Sequence, residues 1–441
     1  MKKMIEREKT FSKVFLSMLL LWFFHPAAAA GFSTLEVVDF YTRQPVRGAT
    51  VMVNNQVAPS DPQNRFTITN PGSLIKVRAP GYLRAEQILT GPPLPAPKVV
   101  KLFPVTPKAL YLSFYGIGER CLRESALKLI EETELNALVI DVKGDRGMIP
   151  YRSAVPMAAE VGAQRIITVR DIHGLLGALK RRGIYTIARI VVFKDHPLAN
   201  ARPQWAVRNS MGEIWRDREN LSWVDPFRKE VWAYNIDIAV EAAQLGFDEI
   251  QFDYVRFPDA SAPRYSQPNH EENRVQAISG FLEEAKNRLK PYNVFVAADI
   301  FGYVCWNPND TNIGQRLEAL STRVDYLSPM LYPSGFQYGI PGYRNPVAHP
   351  HEIVYLTLKK AQERTGLPSI RFRPWLQAFR DYAFDRRHFH GKEIREQINA
   401  ANKFGSQGWM LWNPGNTYKA HGLNPEDDGV WLTGLVTPPK I

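Results

Sequence analysis

From Lys108 onward, eight short β-rich runs are separated by longer helical patterns, and this alternation leaves few folds open. The runs are ALYLSFYGIG, ALVIDVKGD, IYTIARIVVF, EIQFDYVRF, VFVAADIFGY, YLSPMLYPSG, IRFRPWLQAFR and GWMLWNP. Between the fourth and fifth, Val275, Ile278, Phe281, Leu282, Ala285 and Leu289 fall on one helical face. Before the fourth, Pro226 through Leu245 reads as a helix stopped by Gly246. Strand and helix alternating eight times predict an α/β protein, a (β/α)8 TIM barrel. An open doubly wound sheet is the rival. It needs a glycine-rich phosphate loop at its first strand–helix turn, and YGIGERC is a poor one.

The chain ahead of the barrel divides in two. Residues 1–30 begin with Lys2, Lys3, Arg7, Lys9 and Lys13, continue through the apolar run Val14–Phe24 and end in Ala27–Ala30. That order is a secretory signal peptide, which predicts an exported protein, periplasmic or released. The run is short for a membrane span, so no stable span is expected after cleavage; an uncleaved anchor is the alternative. No Cys follows to carry a lipid. Residues 31–103 alternate apolar and polar positions and break at glycine and proline, which predicts a small N-terminal β-sandwich. GPPLPAPK (Gly91 to Lys98) reads as a stiff linker. The barrel is assigned residues 104–441.

Charge and cysteine narrow the partners. The first thirty residues carry a net +3, leaving +8 of the chain's +11. A basic exported protein can meet acidic polysaccharide or an anionic envelope, although a solvated surface explains the same charge. No basic run interleaves with aromatics, so nucleic acid is not expected as a partner. Cys121 and Cys305 stand alone and are expected to be buried thiols.

In a barrel of this kind the chemistry lies at the C-terminal ends of the strands. Polar residues end four consecutive runs here: Asp141 and Asp145 the second, Arg189 the third, Asp253 the fourth and Asp299 the fifth. A carboxylate in a core strand has to be paired or poised, because burying it bare is costly. Alternation places Gln251, Asp253 and Val255 toward the barrel mouth, and Ile250, Phe252 and Tyr254 toward the helices. Tyr115, Tyr303, Trp306, Tyr332, Trp375 and Trp412 fall at or beyond strand ends. The long third loop adds Trp205, Trp215 and Trp223. Two carboxylates within a ring of aromatics suit glycoside cleavage, in which one acid protonates the leaving oxygen and the other attacks or activates water. Asp253 and Asp299 are the catalytic candidates. Asp141, Lys143, Arg189, Gln251, Tyr254, Arg256, Tyr303, Tyr332, Trp375, Gln377, Trp412 and Asn413 are the candidates for binding substrate. Tyr254 and Arg256 can also simply shape the rim.

The segments IDVKGD, FDYVRFP and LSPMLYPS resemble a bacterial family described as a putative glycosyl hydrolase domain, over about Thr106 to Thr433. The resemblance implies a TIM barrel distantly related to α-amylase and α-galactosidase-like glycosidases. It carries the nucleophile role onto Asp253 and the acid/base role onto Asp299, where Asp stands for the usual Glu. The stretch PVRGATVMV followed by IKVRAPGY resembles carboxypeptidase-regulatory-like or transthyretin-like domains, which implies an accessory module. Family-18-type chitinases close an acidic ladder on Glu, and this chain has Val255 there, so substrate-assisted chitin cleavage is disfavoured.

Two readings compete with a secreted glycoside hydrolase. A metal-dependent polysaccharide deacetylase could draw on His173, His196, His349 and His351. A non-catalytic barrel could bind envelope glycan. The expected partner is a polysaccharide or oligosaccharide. No cofactor and no metal are implied, since the chain has no phosphate loop, dinucleotide fingerprint or Cys cluster.

Overall fold

The computed structural model describes residues 33–68, 73–88, 97–260 and 263–425. The expected signal peptide, most of the linker and the last part of the range 104–441 lie outside the described residues.

The N-terminal part is two small sheets. One has β1 (Ser33–Asp39) between β4 (Arg65–Ile68) and β7 (Lys98–Leu102). The other runs β3 (Gln56–Val57), β2 (Thr50–Val53), β5 (Leu74–Arg78), β6 (Ala85–Ile88). Leu35, Val37, Val51, Phe66, Ile75, Val77, Val100 and Leu102 bury a common core between them. Lys98, expected in the linker, opens β7 instead.

Eight parallel strands follow and close on themselves: β8 (Lys108–Leu112), β9 (Ala137–Lys143), β10 (Tyr185–Val191), β11 (Glu249–Asp253), β12 (Phe295–Phe301), β13 (Tyr326–Met330), β14 (Trp375–Gln377) and β15 (Trp409–Trp412). The (β/α)8 barrel is therefore present, each strand falling within its predicted run except that the first begins one residue early, at Lys108. All are shorter than their runs, and two have a clear local reason. The first strand stops at Leu112 because Ser113 caps the helix Phe114–Gly118, its hydroxyl accepting from Gly116 N. The seventh keeps three residues, since Pro374 cannot donate to a ladder.

The helix Lys229–Leu245 ends at Gly246, whose φ of +106° lies where a side chain is strained. The reversal feeds directly into β11. The helix Glu271–Leu289 buries Ile278, Phe281, Leu282, Ala285 and Leu289 as its periodicity predicted. Of the cysteines, Cys305 is buried but Cys121 is exposed, on the solvent side of the helix Arg120–Glu132.

The N-terminal sheets sit at the end of the barrel opposite the strand C-termini. Lys76 Nζ donates to Pro291 O (2.7 Å), Gly81 N to the Tyr326 hydroxyl (3.1 Å) and Arg84 Nη2 to Gly246 O (3.0 Å). Leu83 and Val105 pack against the lumen cluster of Ala109, Tyr185, Phe295, Tyr326 and Met410. One mouth of the barrel is thereby closed, and the C-terminal mouth remains for chemistry.

Candidate active site

The lumen is built in layers, and β11 runs through all of them. At the bottom, Glu249 accepts from Arg373 Nη1 (2.5 Å) and from the Tyr185 hydroxyl (3.0 Å), and both charged side chains are fully buried. One step up, Gln251 donates to Ser328 Oγ (3.1 Å). At the top stands Asp253.

Arg189, on β10, organises this top layer. Its Nε and Nη2 donate to Asp253 Oδ2 at 3.0 and 2.6 Å. Its Nη1 donates to Asp141 Oδ1 at 2.7 Å, and its Nη2 also reaches Asp145 Oδ1 at 2.7 Å. The guanidinium lies over the Trp412 ring, 4.9 Å from the centroid, and is 1% exposed. One enclosed cation thus meets three carboxylates through charge-assisted hydrogen bonds. Asp141 also accepts from the Tyr111 hydroxyl (2.8 Å) and Phe114 N (3.1 Å), yet burial pushes its pKa up to about 6.

Asp299 is in a different state. Phe252 pairs with Ala298, so the next step in the same register sets Asp253 beside Asp299 on neighbouring strands. Asp299 Oδ1 accepts from Trp375 Nε1 (2.8 Å), and Oδ2 has no partner among the described residues. Burial first, and the charge of Asp253 second, push its pKa well above the ordinary carboxyl range. The two neighbouring carboxyl groups thus stand in different surroundings, Asp253 paired with an arginine and Asp299 with an indole N–H.

A cavity of about 210 Å³ opens above this layer, lined by Arg189, Asp253, Tyr254, Arg256, Phe301, Met330, Tyr332, Trp375 and Trp412. Seven of these were sequence candidates; Phe301 and Met330 were not. Asp141 lies behind the lining through Arg189, and Asp299 lies behind it through Trp375. Tyr111, behind the lining, is a further residue that sequence reasoning missed. It stacks on Trp412 at 4.0 Å, binds Asp141, and in a buried run looks like any core tyrosine.

Tyr254 departs from the expected alternation. The strand ends at Asp253, and Tyr254 takes φ +47°, in the left-handed region. The turn sends its ring to the cavity and Val255 into the packing between strands and helices, the reverse of the assignment made by period. Tyr254 N donates to Asp253 Oδ1 (2.6 Å), so the same turn fastens the second carboxylate oxygen.

Other candidates lie away from the cavity. Lys143 is fully buried against Asp195 Oδ2 (2.5 Å) and over the Tyr234 ring, because the ladder shifts register beside Arg189. Gln251 belongs to the lumen floor. Gln377 is buried, donating to Ser334 Oγ (2.7 Å) and accepting from Ser334 N (3.0 Å). The Tyr303 hydroxyl donates to Gly339 O (3.1 Å). Asn413 donates to Ala378 O (2.7 Å) and Thr417 O (2.9 Å), shaping the loop after β15. His173, His196, His349 and His351 stand on or at the ends of three different helices. Among the described residues no three His, Cys, Asp or Glu side chains form a group that could hold a metal.

A family model described as a putative glycosyl hydrolase domain matches residues 109–418. A hypothetical protein from Ruminiclostridium thermocellum is 37% identical, with 43% of this chain and 96% of that one covered and a TM-score of 0.39. The PgaB (BpsB) glycoside hydrolase domain from Bordetella bronchiseptica is 14% identical, with 71% and 95% covered and a TM-score of 0.51; this likeness shows the fold. The spore cortex-lytic enzyme SleL of Bacillus megaterium is 13% identical, with 84% and 77% covered and a TM-score of 0.42. No curated protein matches the chain.

Proposed function

The chain belongs to the putative glycosyl hydrolase domain family, and on that premise we propose that it is an exported enzyme cleaving O-glycosidic bonds of a polysaccharide with the pair Asp253 and Asp299. The observation that carries this reading is the split between the two carboxyl groups. Asp253 lines the cavity with Arg189 on one oxygen. Its neighbour Asp299 is buried, with its pKa pushed up and one oxygen unpartnered among the described residues. Asp253 attacks the anomeric carbon or stabilises its positive charge, and Asp299 gives its proton to the leaving oxygen. Trp375 and Tyr332 offer ring faces to the sugar, and Trp375 also covers Asp299, so its ring has to give way for the glycosidic oxygen to arrive. Export rests on the basic and apolar start of the chain, and the N-terminal sheets serve as an accessory module.

One observation favours a second reading. Asp299 lies behind the cavity lining, as it would in a barrel that binds glycan without cutting it. Release of reducing ends from a polysaccharide panel, by wild type, Asp253→Asn and Asp299→Asn, separates the two. Cleavage lost in both variants supports the pair. Intact chains after long incubation with wild type, with binding retained, support the glycan-binding barrel.

A further inference from the structure

Arg256 is the second arginine of the cavity, and it is placed unlike the first. Its guanidinium is enclosed by three rings, with centroids at 4.9 Å (Trp223), 4.9 Å (Tyr254) and 4.6 Å (Phe301). Among the described residues its one hydrogen bond runs from Nη1 to Phe257 O at 2.9 Å. Arg189 meets three carboxylates, whereas Arg256 makes no ion pair among the described residues. Aromatic faces hold a cation in place without neutralising it. A preoriented, partly buried guanidinium whose remaining donors meet no carboxylate among the described residues can receive an anion, and its planar fork fits an oxyanion. Arg256 lines the same cavity as Asp253, so that anion has to arrive with the sugar.

A second feature on the same rim points the same way. Beside β14 and β15 lies a cleft of about 310 Å³ whose titratable lining includes Arg380, His388, His390, Lys419 and His421 and no carboxylate. Its wall adjoins that of the cavity: Phe379 packs on Tyr332 at 5.5 Å, and Asn413 follows Trp412.

We propose that the substrate is a polyanionic glycan, an oxyanion on the sugar in the cavity being read by Arg256 and the neighbouring sugars running along the basic cleft. This rests on the hydrolase reading only for the location of the cavity. A uronic acid carboxylate and a sulfate ester share the required chemistry.

The test measures binding by calorimetry and cleavage by reducing ends. The polymers are polygalacturonate, its carboxyl-reduced form, dextran sulfate and neutral dextran. Wild type is expected to prefer polygalacturonate over its reduced form. Arg256→Gln lowers that ratio roughly ten- to a hundredfold, the weight of one charge-assisted fork. Arg256→Lys restores part of it. Should Arg256→Gln fail to fold, the exposed pair Arg380→Gln/Lys419→Gln is expected to lower the same ratio. Preference for dextran sulfate alone assigns the oxyanion to sulfate. Equal affinity of wild type for polygalacturonate and its reduced form, or no binding to either charged polymer, overturns the proposal. Selective binding without cleavage removes the hydrolase and leaves this inference standing; cleavage of neutral dextran alone does the opposite.

Discussion

Arg189 meets Asp253 through two nitrogens, Nε at 3.0 Å and Nη2 at 2.6 Å, both on the same carboxylate oxygen. The remaining nitrogen of the guanidinium holds Asp141. Arg189→Ala therefore strands two buried carboxylates, and the expected loss of stability is about 3–5 kcal/mol. Asp141→Asn costs less, because the Tyr111 hydroxyl and Phe114 N can still donate to an amide oxygen. Equilibrium denaturation of both variants checks the order; equal losses would show that Arg189 does not hold the layer together.

The link from Trp375 Nε1 to Asp299 Oδ1 sets a pH limit. On the proposed mechanism Asp299 acts while protonated, so activity should be lost as pH rises through its raised pKa. The indole N–H stabilises the ionised form. Trp375→Phe removes it, raises the pKa further and moves the alkaline limb of kcat/KM to higher pH. Asp299→Asn removes that limb and lowers kcat on the order of 10²–10⁴-fold. A limb that shifts downward in Trp375→Phe would assign the proton donor elsewhere.

Asp141 gives a stability signature of the opposite kind from most carboxylates. Its folded pKa of about 6 lies above the ordinary value of 3.8, so the folded state binds the proton more tightly. Its contribution is complete below about 4 and is lost as pH rises through about 6. The stability of Asp141→Asn relative to wild type should accordingly improve across that window. Urea titrations at pH 4, 5, 6 and 7, the steps being about one unit, measure it; a difference independent of pH contradicts the assignment.

Much of this was legible in the chain. Eight runs with helices between them specify a barrel because strand and helix periods differ, and the charged strand ends gave Asp141, Arg189, Asp253 and Asp299. What was not legible depends on three-dimensional context. Lys143 looks like a rim residue by count, but the ladder's register shift turns it to Asp195. Tyr254 escapes its period through one positive φ, which no alternation rule contains. Tyr111 becomes part of the site only through Asp141 and Trp412, which are distant in sequence.

The backbone at Tyr254 carries strain, since a residue with a Cβ at φ +47° is disfavoured. Both Tyr254→Ala and Tyr254→Gly lose the ring, but only glycine adopts that φ freely. Tyr254→Gly should therefore be the more stable of the two by about 1 kcal/mol, against the usual ranking of alanine over glycine. Thermal denaturation of the pair decides it, and an alanine variant that melts higher would mean the turn relaxes.

The opposite end of the barrel should respond to substitution without touching chemistry. Arg84 reaches from the N-terminal sheets to Gly246 O at 3.0 Å and to Asp248 Oδ1 at 3.4 Å, at the entrance to β11. Asp248 in turn accepts from Thr186 N and its hydroxyl, so one arginine ties the sheets to two barrel strands. The pair is partly exposed, which screens it, and Arg84→Ala is expected to cost about 1–2 kcal/mol. Residues at the bottom of a barrel support the fold while those at the top carry reaction, so kcat/KM should not change. With Leu83 and Val105 seated against the lumen cluster, the sheets and the barrel should also melt together in wild type. Calorimetry showing two separate transitions before any substitution is made would mean that the sheets are an independent appendage and that the barrel closes its lower mouth alone.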